Sequence, residues 1–309
     1  MTALLEVACH LPQESVPIER IGAESGVSAR QIRLFRRFYG LSEVRRAPGR
    51  DLRSILTSAV ESLTTLRGRE HRVRYLVLAR SVATVAPADE NPAEDLCVAL
   101  GLTGAVAFTV TQHACATGLL AVDLVGRMLA DDGDPEALGL VLTGEKAVSD
   151  ALQLVPGSTV MGESTAAVLV GADGGHDQLL SYATHTYGEY AEGFPPHPVD
   201  PGFFKEHNAL LSGVMREAAA SAGVALDDLA LILPHNVNRL VWTNLGEQLG
   251  VAGERIFLDN MPVTGHCFTA DPFINHVHAR ERGRLRPGDL YLMAAVGLGA
   301  TFSAAVFRH

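Results

Sequence analysis

Apolar residues fall along this chain in short dense runs separated by polar turns. VRYLVLARS (73–81), LGLVLTGEKA (138–147), STAAVLVGAD (164–173) and LALILPHNVNR (229–239) are such runs, rich in Val, Leu, Ile and Ala. Runs of this length without alternation suit strands buried on both faces. Elsewhere the spacing turns helical. Residues 50–66, with LRSILTSAVESLTTL, and residues 212–222 repeat apolar positions every three or four residues. PADENPAEDLCVALGL (87–102) reads as loop and helix, and the basic, aromatic stretch 30–37 as a helix with a charged face. Strands alternating with helices predict an α/β fold with buried sheets.

One order of elements occurs twice. In the first half it runs FTV, TQHAC, ATGLLAVDLVGRML, ADDGD, LGLVLTG; in the second, RIFLD, NMPVTGHC, FTADPFINHVHA, RERGRLRPGD, LYLMAAVG. Each is a strand, a polar loop with a reactive residue, an apolar helix, a charged turn with glycine, and a strand. The likeness is of pattern rather than identity, and it predicts an internal duplication. The boundary falls in the Gly-rich stretch 172–178, giving halves 1–173 and 174–309.

Composition narrows the function. A chain of 309 residues that is 47% hydrophobic has ample material for a large core. A net charge of −10 argues against nucleic acid as a partner, because phosphate binding wants clustered Lys and Arg. The four cysteines, Cys9, Cys97, Cys115 and Cys267, show no CxxC pair or zinc-ligand spacing and are too few for a disulfide scaffold, so no metal is expected. No apolar stretch reaches the ~18–20 residues that span a bilayer. The first residues lack the basic region of a secretory signal. The expectation is a soluble, reduced, cytoplasmic protein with no membrane partner.

The chemistry concentrates in FTVTQHACATGLLAVD, residues 108–123. An apolar strand ends in a polar turn that runs into an apolar helix, which puts Cys115 at or near the helix N-terminus. Unpaired N–H groups and the positive end of the dipole favour thiolate there, and a thiolate accepts an acyl group from a thioester. A small buried cysteine filling a gap is the competing reading. His235 stands where LALILP runs out, in a loop expected to be exposed, as catalytic groups often are. His266 lies in TGHCF, and Asp271 with Pro272 opens the next helix. Asp271 is either a helix cap or the third member of a triad that orients a histidine. Gly297 and Gly299 lie between two apolar strands, where backbone can approach a ligand closely or simply turn a hairpin.

These motifs together resemble the thiolase superfamily, and within it the type III ketoacyl-ACP synthases. ACATG around Cys115 resembles the nucleophile motif, HNVNR from His235 the second motif, GHCFTAD from Gly265 the third, and VGLGATFSAAVF the closing Gly-rich hairpin. MGESTAAVLVG (161–171) and the opening segment also match, so the resemblance spans essentially the whole chain. It implies a thiolase-like duplicated five-layer αβαβα sandwich and a homodimer. It implies that Cys115 takes an acyl group from acyl-CoA or a phosphopantetheinyl acyl carrier protein and passes it on, with no bound cofactor. It implies an oxyanion hole from the N–H groups of Cys115 and Gly299, and substrate contacts from Asn238 and Arg239. Arg36, in the Arg-rich stretch 30–37, with Arg45 and Arg46, either offers a positive surface to a phosphate or belongs to a solvated face.

The sequence departs from the family in two places. Gln112 and His113 stand where small or apolar residues precede the nucleophile. In the third motif an asparagine of the fatty-acid-initiating members is replaced; His266 falls there and Asp271 five residues on. A Cys–His–His set resembles the elongating ketosynthases. A Cys–His–Asp set resembles the offshoot that transfers acyl groups to hydroxyl or amine acceptors in natural-product pathways. A carboxylate behind a histidine strengthens a base for such an acceptor and disfavours an enolate, so it favours acyl transfer over decarboxylative condensation. The expected base is His235, partnered by Asp271 or His266. A condensing enzyme and a non-catalytic ketosynthase partner subunit are the rival readings. The segment 180–212 is expected either to line the acyl or acceptor pocket or to pack as a loop at its mouth.

Overall fold

The structure is a computed structural model and describes residues 2–82, 91–155, 157–172, 174–191 and 199–309. Nine strands form the main sheet: β1 (Thr2–His10), β2 (Val73–Ala79), β3 (Val106–Val110), β4 (Leu138–Thr143), β5 (Thr165–Gly171), β6 (Gln178–Thr186), β7 (Leu229–Pro234), β8 (Leu290–Gly297) and β9 (Thr301–Arg308). Six helices pack on them: α1 (Leu52–Glu61), α2 (Pro92–Ala99), α3 (Thr117–Asp132), α4 (Pro201–Ser221), α5 (Arg239–Leu249) and α6 (Asp271–Glu281). The strand order is β7-β8-β9-β6-β1-β5-β4-β2-β3.

That order is one motif used twice. In the first half β1 pairs antiparallel with β5, β5 antiparallel with β4, and β4 parallel with β2. In the second, β6 pairs antiparallel with β9, β9 antiparallel with β8, and β8 parallel with β7. Where the first half has β3 beside β2, the second has a single parallel bridge, Ile232 to Ile256. The halves meet through two antiparallel residue pairs, Thr2 with Leu179 and Ala3 with Gln178.

Both faces of the sheet are covered, which explains the unalternated apolar runs. Leu76, Leu78, Leu140 and Leu142 join the core under α1 and α2, while the neighbouring Val77 and Val141 join a central core with α3 and α6. Across the molecule Tyr291 and Met293 enter that central core, and Leu292 and Ala294 face α4 and α5. Helices, half-sheet, helices, half-sheet, helices make five layers, as the duplication predicts. The middle helices touch where α3 has no side chain: a Cβ on Gly118 would lie 2.7 Å from the Thr269 carbonyl oxygen and 2.9 Å from a Phe273 ring carbon. Each middle helix is entered through the same feature, a 3-10 turn opened by a non-glycine residue of positive φ. These residues are Ala114 (φ 45°) before α3 and Phe268 (φ 55°) before α6.

Several expectations need correction. The opening residues form a full strand in the middle of the sheet, because Leu4, Val7 and Ala8 are buried between helical layers. The helix expected at 212–222 begins at Pro201, opened by the Asp200 side chain accepting from Gly202 N–H. The basic stretch is a short helix, Ala29–Leu34, continued by a π turn, Phe35–Tyr39. The loop expected at 87–90 and the part of the 180–212 segment at 192–198 lie outside the described residues. Among the described residues no helix is long and apolar enough to cross a membrane.

Candidate active site

The ends of β3, β2 and β4 and the segment before α6 converge on Cys115. Past Val110 the chain turns back, with the Thr111 carbonyl accepting from Ala114 N–H at 3.0 Å, and Ala114 takes its left-handed conformation. For an alanine that conformation costs on the order of 1 kcal/mol or more. It is held from outside: at Gly297, the last residue of β8, a Cβ would strike the His113 carbonyl oxygen and the Ala114 methyl group. Only glycine lets the hairpin pack against this turn. Cys115 is thereby lifted into a cavity of about 310 Å³ whose described lining includes His235, His266, Val296 and Leu298.

His266 Nε2 lies 3.3 Å from Cys115 Sγ, and His266 Nδ1 lies 2.5 Å from Asp271 Oδ2. Asp271 is fully buried, and its carboxylate is well supplied with donors. Asn236 N–H donates to Oδ2 at 2.6 Å and Cys267 N–H to Oδ1 at 2.8 Å. A carboxylate can only accept, so Nδ1 carries a proton and Nε2 turns its other face to sulfur. Burial alone would push the His266 pKa down; the Asp271 charge, then the Cys115 sulfur, outweigh it and raise it to about 10.

His235 differs in every respect. It is buried rather than exposed, 1% accessible, and its backbone is fixed by N–H donation to the Ala294 carbonyl and by the Trp242 indole donating to its own carbonyl. Its ring lies 5.8 Å, centre to centre, from that of His266, and among the described residues no carboxylate is hydrogen-bonded to it. Burial and the nearby His266 charge drive its pKa well below the usual histidine value, so it is a neutral ring. The structure thus gives Asp271 to His266, not to His235. Nor does the Asp271 side chain cap a helix: α6 has Ala270 at its N-cap, with no side-chain cap.

The remaining expected residues are spread more widely. Asn238 lines the cavity but spends its carbonyl oxygen on capping α5, accepting from Val241 N–H at 2.9 Å. Arg239 is exposed and lies over Gly40. Arg36 is exposed and paired with Glu19 at 2.5 Å, outside the described cavity lining, so the solvated-face reading fits it better. Gly299 lies in the hairpin between β8 and β9, whose Leu298 reaches the cavity. The segment 180–212 contributes through α4 rather than a loop: Phe203, Phe204, Lys205 and His207 form one wall.

Comparison with known proteins shows what the chain is similar to. Residues 219–309 match the family described as 3-oxoacyl-[acyl-carrier-protein (ACP)] synthase III C terminal. The beta-ketoacyl-[acyl-carrier-protein] synthase III of Nitratidesulfovibrio vulgaris (Miyazaki F) is 29% identical over 234 residues, covering 68% of each chain. Residues 219–309 thus carry the C-terminal domain of these synthases, and over most of its length the chain is similar to type III ketoacyl-ACP synthases. Its fold is that of the 3-oxoacyl-[acyl-carrier-protein] synthase III of Aquifex aeolicus VF5, with a TM-score of 0.85, 22% identity and all of both chains covered. It is equally that of ChlB3, described as an acyltransferase, with a TM-score of 0.86, 20% identity, and 99% and 97% of the two chains covered.

Around this synthase-like centre stand residues that the sequence motifs do not single out. Ser81 Oγ donates to Cys115 Sγ at 3.4 Å. Ser81 is itself held by Glu145, a buried acid accepting from Ser81 N–H at 2.7 Å and from Arg80 Nε at 3.1 Å. Burial raises the Glu145 pKa against the pull of Arg80. Thr269 Oγ1 donates to the Ala79 carbonyl and accepts from Gly144 N–H, both at 3.0 Å, so it ties the ends of β2 and β4 together. A lone acid closing a buried strand, as Glu145 does in LTGEKA, is the signal by which sequence could have found this support.

Proposed function

We propose that this chain is an acyltransferase that takes an acyl group from a CoA or acyl-carrier-protein thioester onto Cys115 and passes it to a hydroxyl or amine acceptor. The line Cys115 Sγ, His266, Asp271 is the observation that carries this reading. With its pKa raised to about 10, His266 already holds the proton of the Cys115 thiol, and the thiolate attacks the thioester carbonyl. The tetrahedral oxyanion is received by the N–H groups of Cys115 and Gly299. As it collapses, the departing CoA or pantetheine sulfur takes the proton back from His266, leaving acyl-Cys115. The acceptor then attacks that carbonyl, His266 takes its proton, and the product leaves the Cys115 thiolate beside the imidazolium. Asp271 holds the Nδ1 proton throughout and stabilises the imidazolium formed in each half-reaction.

Acylation itself retunes the base. Part of what raises the His266 pKa is the Cys115 sulfur, and a neutral thioester removes that contribution. The acyl-enzyme therefore holds His266 in its proton-accepting form more readily than the free enzyme does, which suits the second step. Phe203, Leu240 and Phe268 offer an apolar wall for an acyl chain. Lys205 stands in the described lining at an exposed position fit to meet a phosphate or carboxylate of the substrate.

Decarboxylative condensation is the second reading, and His235 favours it: a neutral ring sharing the cavity with Cys115 can donate to a thioester carbonyl as an enolate forms. Against it stands the Asp271 carboxylate, which disfavours new negative charge nearby. Intact-protein mass spectrometry with acyl and malonyl thioesters separates the two. Acyl transfer predicts an adduct on the wild type, none on Cys115→Ala, and transfer from the acyl-enzyme to an alcohol or amine. Release of carbon dioxide from a malonyl donor after acylation would establish condensation instead.

A further inference from the structure

A second polar cluster lies outside the cavity, around Asp177 at the start of β6. Asp177 is 1% accessible and adopts a left-handed backbone, φ 53°, that turns its carboxylate inward. His176 Nδ1 lies 3.0 Å from its Oδ2, and His309 Nδ1 lies 2.8 Å from its Oδ1. Tyr291 OH donates to Oδ1 at 2.8 Å, and His276 Nε2 lies 3.2 Å from the same oxygen. None of these residues lines the active-site cavity.

We propose that His176, Asp177 and His309 bind a divalent transition-metal ion of the zinc class. One ligand atom from each, two imidazole nitrogens and a carboxylate oxygen, already lie within 4.8 Å of one another. Zinc takes such ligands at about 2.0–2.2 Å, so two ligands of one ion stand at most about 4 Å apart. Tetrahedral zinc spaces its ligands about 3.3–3.6 Å apart, so the contacts to Asp177 at 3.0 and 2.8 Å must open while the widest spacing closes, a rearrangement that the half-exposed His176 ring can make. Two imidazoles and a carboxylate suit zinc, cobalt and nickel better than calcium or magnesium. Each imidazole binds through Nδ1 as the neutral ring with its one proton on Nε2, so the proton now shared with Asp177 moves to the other nitrogen and the ion takes its place.

An independent observation points the same way. His276 is completely buried; its Nε2 meets Asp177 Oδ1 only at 3.2 Å and out of hydrogen-bond alignment, and its Nδ1 has no hydrogen-bond partner among the described residues. Its natural acceptor, Asp177 Oδ1, is already taken by Tyr291 and His309. Moving His309 Nδ1 onto a cation bound by Oδ2 frees Oδ1 to accept from His276. The result is a ligand carboxylate oriented by a buried histidine and a tyrosine, the outer shell that metal carboxylates usually have. The ion joins the loop before β6 to the residue after β9. The Asp177 carbonyl, which accepts from Leu4 N–H at 3.0 Å, brings β1 to the same point.

The full chain carrying Cys115→Ala, which removes the competing active-site thiol, is titrated with Co2+ and with Zn2+. One equivalent of Co2+ is expected to give visible d–d bands of nitrogen and oxygen ligation without thiolate charge transfer, displaced by Zn2+. His176→Gln and His309→Gln should each abolish the bands. Tyr291→Phe, acting through Asp177, should weaken binding about 10–100-fold, and His185→Gln, an exposed histidine elsewhere, should change nothing. Zinc should raise the Tm of the parent but not of His176→Gln. Absence of a stoichiometric spectrum, or one that survives both His176→Gln and His309→Gln, would overturn the assignment. Because His176 is half-exposed, its variant tests the site without threatening the fold.

Discussion

The residue that most separates this chain's chemistry from plain cysteine reactivity is Asp271. With its carboxylate on His266, the imidazolium is held and oriented; with an amide there, it is neither. Asp271→Asn is expected to lower acyl transfer to a hydroxyl acceptor by about 10³–10⁴-fold, the scale seen when a triad carboxylate is so replaced, read by single-turnover assay. The same substitution has a signature in stability. Folded His266 titrates at about 10 and an unconstrained histidine at 6.5. A group whose pKa rises on folding stabilises fully below its unfolded value, and that contribution is lost as pH climbs through the folded one. The Tm gap between wild type and Asp271→Asn should therefore be widest near pH 6 and narrow steadily toward pH 10. A gap independent of pH would deny the coupling. The residue roles were only partly legible in sequence. The placement of Cys115 in a turn ahead of an apolar helix was legible because strand, polar turn and apolar helix leave a recognisable trace. The pairing of Asp271 with His266 instead of His235 was not, because both histidines lie in separate loops and only the packing of α6 under β7 decides which ring the carboxylate meets.

At the level of elements, α3 follows directly on the turn that carries Cys115 and is seated on the turn before α6. Gly118→Ala places a methyl group 2.7 Å from the Thr269 carbonyl, a backbone atom that cannot swing aside. The helix must lift, and a destabilisation of about 1–3 kcal/mol is expected, measured by urea denaturation. Acylation should slow in parallel, since the elbow moves with the helix; a stable variant with unchanged acylation would show that the contact is slack. Buried strands were the easiest elements to foresee, because β2, β4, β5 and β7 are covered on both faces and so leave unbroken apolar runs. β1 was missed because TALLEVACH mixes a glutamate into its apolar run; Glu6 emerges at the edge of the core and accepts from Thr64 and Thr65 N–H. The start of α4 had a readable signal in Asp200–Pro201 and an obscured context, the aromatic segment before it resembling a loop.

The whole molecule is held by a core belonging to neither half. Phe273 and Ile274 of α6 share one cluster with Val77, Val141 and Val168 of the first half and with Met293 and Phe307 of the second. The halves should therefore unfold together. The single tryptophan, Trp242, reports from the second half, whereas far-UV circular dichroism reports from both. Their denaturation curves should superimpose, and Phe273→Ala should shift both by about 3–5 kcal/mol without separating them. Two resolved transitions would mean that the halves are independent. The repeated topology also puts Thr269 in the place, one residue after a left-handed position, that Cys115 holds in the first half. The two turns have thus divided their labour. One presents the Cys115 thiol to the cavity; the other, built on the same strained frame, turns its hydroxyl inward to clamp the strand ends from which Ser81 and Glu145 reach the first. A lopsided reaction centre has arisen from a nearly symmetric scaffold, so loss of the Thr269 hydroxyl would be felt at a sulfur on the other copy of the turn.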